Sequence, residues 1–189
     1  MRMVPYTVIK SRRRSIGISL DRDGNVTVRA PMLCTKKEIE NALREAEGWI
    51  GRTRAKLDRV KAEAEGAGAL SEGDIRKLGA DMLRVLPEKL MRYSALLDVE
   101  YGRVSVRNQR SKWGSCSAKG NLNFNCLLML APEAVMDYVI VHELCHLKHP
   151  DHSKAFWAEV ESVDPDYKAH RKWLKDHGGA LMARAHALE

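Results

Sequence analysis

The sequence predicts an α+β domain, and three observations predict it. The first thirty residues alternate β-formers with polar groups, the stretch from Thr35 to Leu97 carries apolar residues at helical intervals, and two β-rich segments then precede a final set of helices. At 189 residues the chain is long enough to bury a sizeable core as one domain, or as a compact domain with a smaller appendage. The expected division is a section of strands and helices over residues 1–100 and a second region over residues 101–189 that carries the chemistry.

In order, "YTVIKS", "SIGISLD" and "NVTVRAP" read as three strands of a small antiparallel sheet, with Asp23-Gly24 as the turn joining the second to the third. Thr35 and Glu38 form a T-x-x-E capping box that opens a helical stretch to about Lys61, with Ile39, Leu43, Ala46, Ile50 and Leu57 as its apolar stripe. Three glycines in "EAEGAGALSEGD" interrupt that pattern. A second helix is expected from Ser71 or Asp74 towards Leu97. Beyond it lie a strand "VSVRNQ", a polar turn "SKWGSCSAKG", a strand "NLNFNCLLML" and a helix from about Pro132. That helix should stop near His149, because Pro150 disfavours an α conformation in the residue before it. Helices around "SKAFWAEVESV" and "DYKAHRKWLKDH" complete the pattern.

Composition narrows the class. The hydrophobic fraction of 44% and charged fraction of 30% are those of an ordinary globular protein. No segment approaches the roughly 20 apolar residues of a spanning helix, and the basic start "MRMVPYTVIKSRRRS" has no apolar signal-peptide stretch behind it, so a cytoplasmic protein with no membrane partner is expected. The four cysteines, Cys34, Cys116, Cys126 and Cys145, form no CxxC pair and are expected as reduced, mostly buried thiols. A net charge of +7, with basic clusters at Lys10 to Arg14 and at Arg103, Arg107, Arg110 and Lys112, suits a nucleotide or nucleic-acid partner, although a solvated basic face is its commoner meaning.

The chemistry concentrates in "VHELCHLKHPDHSKAFW", residues 141–157. His142-Glu143-Leu144-Cys145-His146 is an H-E-x-x-H sequence inside a helical pattern. Residues four apart lie about 40° apart around the helix and one turn apart along it, so two imidazoles can meet one ion. Glu143 is rotated about 100° from His142, which places a carboxylate beside the ion, where it can take a proton from a metal-bound water. Zn2+ suits neutral imidazoles, and a catalytic zinc usually has three protein ligands with one open position. His149 lies roughly 10 Å along the axis from His142 if the helix is continuous, too far to share the ion. His152 follows Pro150, where the chain can turn back, and is the better third ligand. The spacing of six from His146 to His152 also occurs in metzincins, but His149-Pro150 stands where their pattern has a glycine turn. His170, His177 and His186 read as ordinary surface histidines.

The run "NQRSKWGSCSAKGNLNFNCLLMLAPEAVMDYVIVHELCHLKHPDHSKAFW" resembles the YgjP-like metallopeptidases, relatives of the SprT-like zincins. The resemblance is strongest from Arg107 to about Trp173 and includes "DYKAHRKWLK". It implies a zincin-like catalytic domain, zinc held by His142, His146 and His152, and Glu143 as the catalytic residue. Some members of the group carry a nucleotide-pyrophosphatase description, while the fold and motif imply peptide hydrolysis.

The expected activity is therefore that of a zinc metallohydrolase: a metallopeptidase acting on a peptide or protein, with Glu143 as general base. A metal-dependent nucleotide pyrophosphatase is the first alternative, against which the lack of a phosphate-cradling glycine motif tells modestly. A non-catalytic nucleic-acid-binding module with structural zinc, closed by a ligand such as Cys116 or Cys145, is the second. "NLNFNCLLML" is expected at a sheet edge, where it could pair with an extended peptide. Trp113 is expected to pack rather than to touch substrate. Asp164 or Asp166 could orient a ligand imidazole, and Tyr167, His170 and Arg171 could lie near the site.

Overall fold

The structure is a computed structural model that describes residues 5–21 and 23–187. Its secondary structure is α+β, as the patterning predicts. The chain divides into two compact units, Met1–Ala62 and Glu63–Glu189, so the division falls far before residue 100.

The first unit holds β1 (Tyr6–Ser11), β2 (Gly17–Leu20), β3 (Val26–Pro31), α1 (Lys36–Glu45) and the start of α2 (Glu47–Ala67). Its sheet is mixed rather than antiparallel: β3 is central, pairing antiparallel with β2 and parallel with β1. Alternation identifies strands but not their neighbours, and here the chain crosses from β1 to the far side of β3 before turning back. Gly24, at φ 78°, supplies the left-handed residue of the turn into β3. Val26, Val28 and Ala30 pack with Ile39, Leu43 and Ile50 into this unit's core. The Thr35 hydroxyl accepts from the Glu38 amide and the Glu38 carboxylate accepts from the Thr35 amide, completing the capping box. The single long helix expected after it is two, interrupted at Ala46.

The second unit opens with α3 (Glu72–Leu97), which Ser71 caps through a reciprocal bond with Asp74. Met82, Leu86, Leu90, Tyr93 and Leu97 recur every three or four residues, forming a stripe that is buried against Leu122, Phe124, Ile140, Leu144, Phe156 and Val160. That shared core is why α3 belongs with the later chain and not with the first hundred residues.

A second mixed sheet follows, β4 (Val104–Arg107), β5 (Gly114–Cys116) and β6 (Leu122–Asn125), in the order β4-β6-β5. The "polar turn" thus contains a strand. The segment "NLNFNCLLML" is a strand only to Asn125, whose side chain caps a 3-10 helix at Cys126–Leu130. With partners on both sides, β6 is the central strand, which corrects the expectation that it forms an edge; the edge strands are β4 and β5. Buried Asn125 ties the region together: its side-chain amide donates to the Gln109 and Lys112 carbonyls at 2.9 Å each, and its carbonyl accepts from the Leu127 amide at 3.1 Å.

Helix α4 (Glu133–Cys145) is followed by α5 (Lys154–Val163) and α6 (Tyr167–Ala185). Nine of the thirteen residues of α4 are buried, on every face, as expected of a helix inside a core. It ends earlier than Pro150 alone would require, with His146 as the last capping residue and Lys148 and His149 both donating to the Cys145 carbonyl. Lys89 of α3 pairs with Glu133 at 2.6 Å and Asp137 at 2.7 Å. Among the described residues no helix is long and apolar enough to cross a membrane.

Asn125→Ala leaves two carbonyls and one amide without their partner. Chemical denaturation should show a loss of about 2–4 kcal/mol, reflecting several unmade buried hydrogen bonds.

Candidate metal centre

Helix α4 places His142 and His146 one turn apart, and the turn after it returns His152 to them. The ligand-competent atoms of the three residues all lie within 4.8 Å of one another. His142 Nε2 is 3.1 Å from His152 Nε2, and the three ring centroids are 4.8–5.0 Å apart. Among the described residues this is the one group of histidine, cysteine or carboxylate side chains close enough to hold a metal ion.

The second layer fixes these rings. Fully buried Phe156, from the first turn of α5, lies against all three imidazoles at 4.6–4.9 Å between centroids. Trp157 stacks on His152 at 5.6 Å and on Tyr167 at 5.2 Å, with the Arg171 guanidinium 4.9 Å from its centroid. His146 Nδ1 lies 3.0 Å from the His149 carbonyl, to which it donates, and this leaves Nε2 with its lone pair. The Tyr138 hydroxyl lies 3.5 Å from His142 Nδ1.

Burial and the neighbouring imidazoles hold His142 down at about 3, and burial also lowers His152. Both rings are therefore neutral at pH 7, the form that ligates metal. Three imidazoles with converging nitrogens and no thiolate fit a borderline ion such as zinc. Cys145 is buried away from the group and Cys116 is not part of it, so closure by a cysteine finds no support in the arrangement.

Beside the histidines lies a cleft of about 700 Å³, lined on one wall by Lys112, Gly114, Ser115, Cys116 and Ser117 and on the other by His142, Glu143, His146 and His152. Burial pushes the Glu143 carboxyl up to about 7, against the opposing influence of Lys112 and of the Cys116 amide, which hydrogen-bonds the carboxylate. Gly114 lets β5 approach: a Cβ there would stand 2.6 Å from Glu143 Cγ.

Several sequence expectations are redistributed. His149 is outside the group, but not because of helix rise: α4 has already ended, and the ring faces Glu159 at 3.7 Å. Asp164 pairs with His170 Nδ1 at 2.8 Å rather than with a triad histidine, and Asp166 stands at the N-cap position of α6 without a side-chain capping bond. Tyr138, Gly114 and the Phe156 ring were missed as parts of the site. The signal for Tyr138 was its spacing of four before His142, and that for Phe156 was its spacing of four after His152.

A family model described as the YgjP-like metallopeptidase domain matches residues 14–82 and 75–177. The chain belongs to that family. Membership makes it a metallopeptidase-family domain and implies a metal ion. A UTP pyrophosphatase of Escherichia coli (strain K12) is 34% identical over 58 residues, 31% of this chain and 35% of that protein. The chain thus spans about a third of that relative's length. Among solved structures, the metallopeptidase zymogen of Pyrococcus abyssi abylysin is 28% identical, covering 48% of this chain and 94% of that one at a TM-score of 0.44. That of Methanocaldococcus jannaschii jannalysin is 19% identical, with coverages of 47% and 92% and a TM-score of 0.43. At such scores neither structure bears on the site.

Gly114→Ala should force β5 and Glu143 apart and lower the unfolding free energy by about 1–3 kcal/mol. Gly79→Ala, in α3 with open space at its Cβ, should instead gain up to about 1 kcal/mol. Denaturant titration of the two variants checks the contrast.

Proposed function

We propose that the chain is a zinc-dependent hydrolase of zincin-like type, a metallopeptidase in which His142, His146 and His152 hold zinc and Glu143 is the general base. The observation that carries this is the convergence of three imidazoles beside a buried carboxylate in an open cleft. When bound there, zinc would supply Lewis acidity, easing deprotonation of water and polarising a carbonyl.

The remaining work falls to the chain's own groups. Glu143 accepts the proton of the attacking water and returns it to the leaving amine. The Cys116 amide orients the carboxylate. The β5 edge positions the substrate. Asn125 N–H donates to the Trp113 carbonyl and Ser117 N–H to the Asn121 carbonyl. Antiparallel alternation therefore turns Trp113, Ser115 and Ser117 towards β6, and the backbone groups of Gly114 and Cys116 away from it. With the Cys116 N–H given to Glu143, an extended peptide can pair with the Gly114 N–H and carbonyl and the Cys116 carbonyl and so lay its scissile carbonyl beside Glu143, the role first sought in β6.

Removing the metal with a chelator should abolish peptide hydrolysis, and zinc should restore it. Glu143→Gln should bind zinc as the wild type does and lose about 100-fold or more in kcat. In an alanine series, bound metal should fall at His142, His146 and His152 and persist at His149. Full activity in Glu143→Gln overturns its role. A wild type that hydrolyses nucleoside triphosphates but no member of a peptide library overturns the peptidase reading in favour of the pyrophosphatase one.

A further inference from the structure

The cleft carries one charged side chain of each sign. Among the described residues that line it, Glu143 is the one acid and Lys112 the one lysine or arginine; the rest are histidines and small or apolar groups. The Lys112 backbone is pinned, its carbonyl accepting from Asn125 Nδ2 at 2.9 Å. Its ammonium makes no ion pair or side-chain hydrogen bond among the described residues. Four lysines of this unit, by contrast, are paired: Lys89 holds Glu133 and Asp137, Lys148 holds Glu159, Lys168 reaches Glu161 and Lys172 reaches Asp176. The Lys112 charge acts across the cleft on Glu143, and an exposed cation that no ion pair ties down can also meet a carboxylate on a ligand.

Its register says where. Lys112 precedes Gly114 by two residues across the bend at Trp113, at most about 7 Å away, and Gly114 stands over Glu143. A peptide paired with the β5 edge would therefore bring a side chain to Lys112 about two positions from the bond being cleaved.

We propose that Lys112 is a specificity-determining residue that takes a substrate carboxylate, so that the cleft selects peptides with Asp or Glu within two positions of the scissile bond. The inference rests on the peptidase reading and names its substrate class. Phosphate shares the anionic chemistry, and it enters the test as a competing source.

The experiment measures binding, so that it does not depend on turnover. Zinc-loaded Glu143→Gln protein is titrated against a fluorescent dodecapeptide with central aspartates, its asparagine counterpart, its lysine counterpart and UTP. The aspartate peptide should bind about tenfold more tightly than the asparagine one. Adding Lys112→Ala should erase that preference and Lys112→Glu should turn it towards the lysine peptide, with thermal unfolding unchanged because Lys112 is exposed. Equal affinities for the aspartate and asparagine peptides overturn the proposal, as does a preference that survives Lys112→Glu. UTP binding that depends on Lys112, with no preference among the peptides, assigns the cation to phosphate and overturns it too. Acidic peptides bound through Lys112 but left uncut by the wild type support the inference while overturning the peptidase reading, so the two fail separately.

Discussion

Burial of most of α4, on every face, is the constraint on which the rest of the second unit depends. A helix covered on every face can carry polar groups only where they are satisfied or where they do chemistry, because an unpartnered buried polar group costs on the order of 1–3 kcal/mol. Helix α4 carries His142 and Glu143 near its C-terminal end, with His146 capping it. Everything packed around that end serves those groups: Phe156 beneath the rings, Tyr138 beside His142, and the β5 backbone over the carboxylate.

Desolvation then acts in opposite senses on neighbouring groups. It keeps His142 and His152 neutral and raises the carboxyl towards neutrality, since in both cases the charged form is the one that loses water. A neutral nitrogen is what a metal needs. A carboxylate with a raised proton affinity is what a general base needs. The same burial that stabilises the fold therefore sets both chemical states, and two adjacent residues acquire different roles from one environment.

Legibility in the sequence tracked the distance over which each interaction acts. The capping boxes at Thr35 and Ser71, the stripe of α3 and the H-E-x-x-H pair are contacts across three or four residues, and all could be read directly. The placing of His152 was read because Pro150 forces a turn within six residues of His146. Strand neighbours were misjudged in both sheets, as was the place of α3, because each depends on partners tens of residues away. Gly114 looked like a turn glycine, and only the approach of β5 to Glu143 shows why a side chain is excluded there.

By itself the sequence determined the α+β class, the helix that bears the motif, and which histidines could converge, because helical periodicity and proline geometry are local and follow from residue type. The tertiary structure alone decided that β6 is central and β5 an edge strand beside the cleft, that α3 completes the core around α4, that a phenylalanine ring underlies the three histidines, and that Lys112 lines the cleft. Those outcomes arise from packing between segments far apart in the chain, where the partner is chosen by shape and burial and leaves no spacing to read.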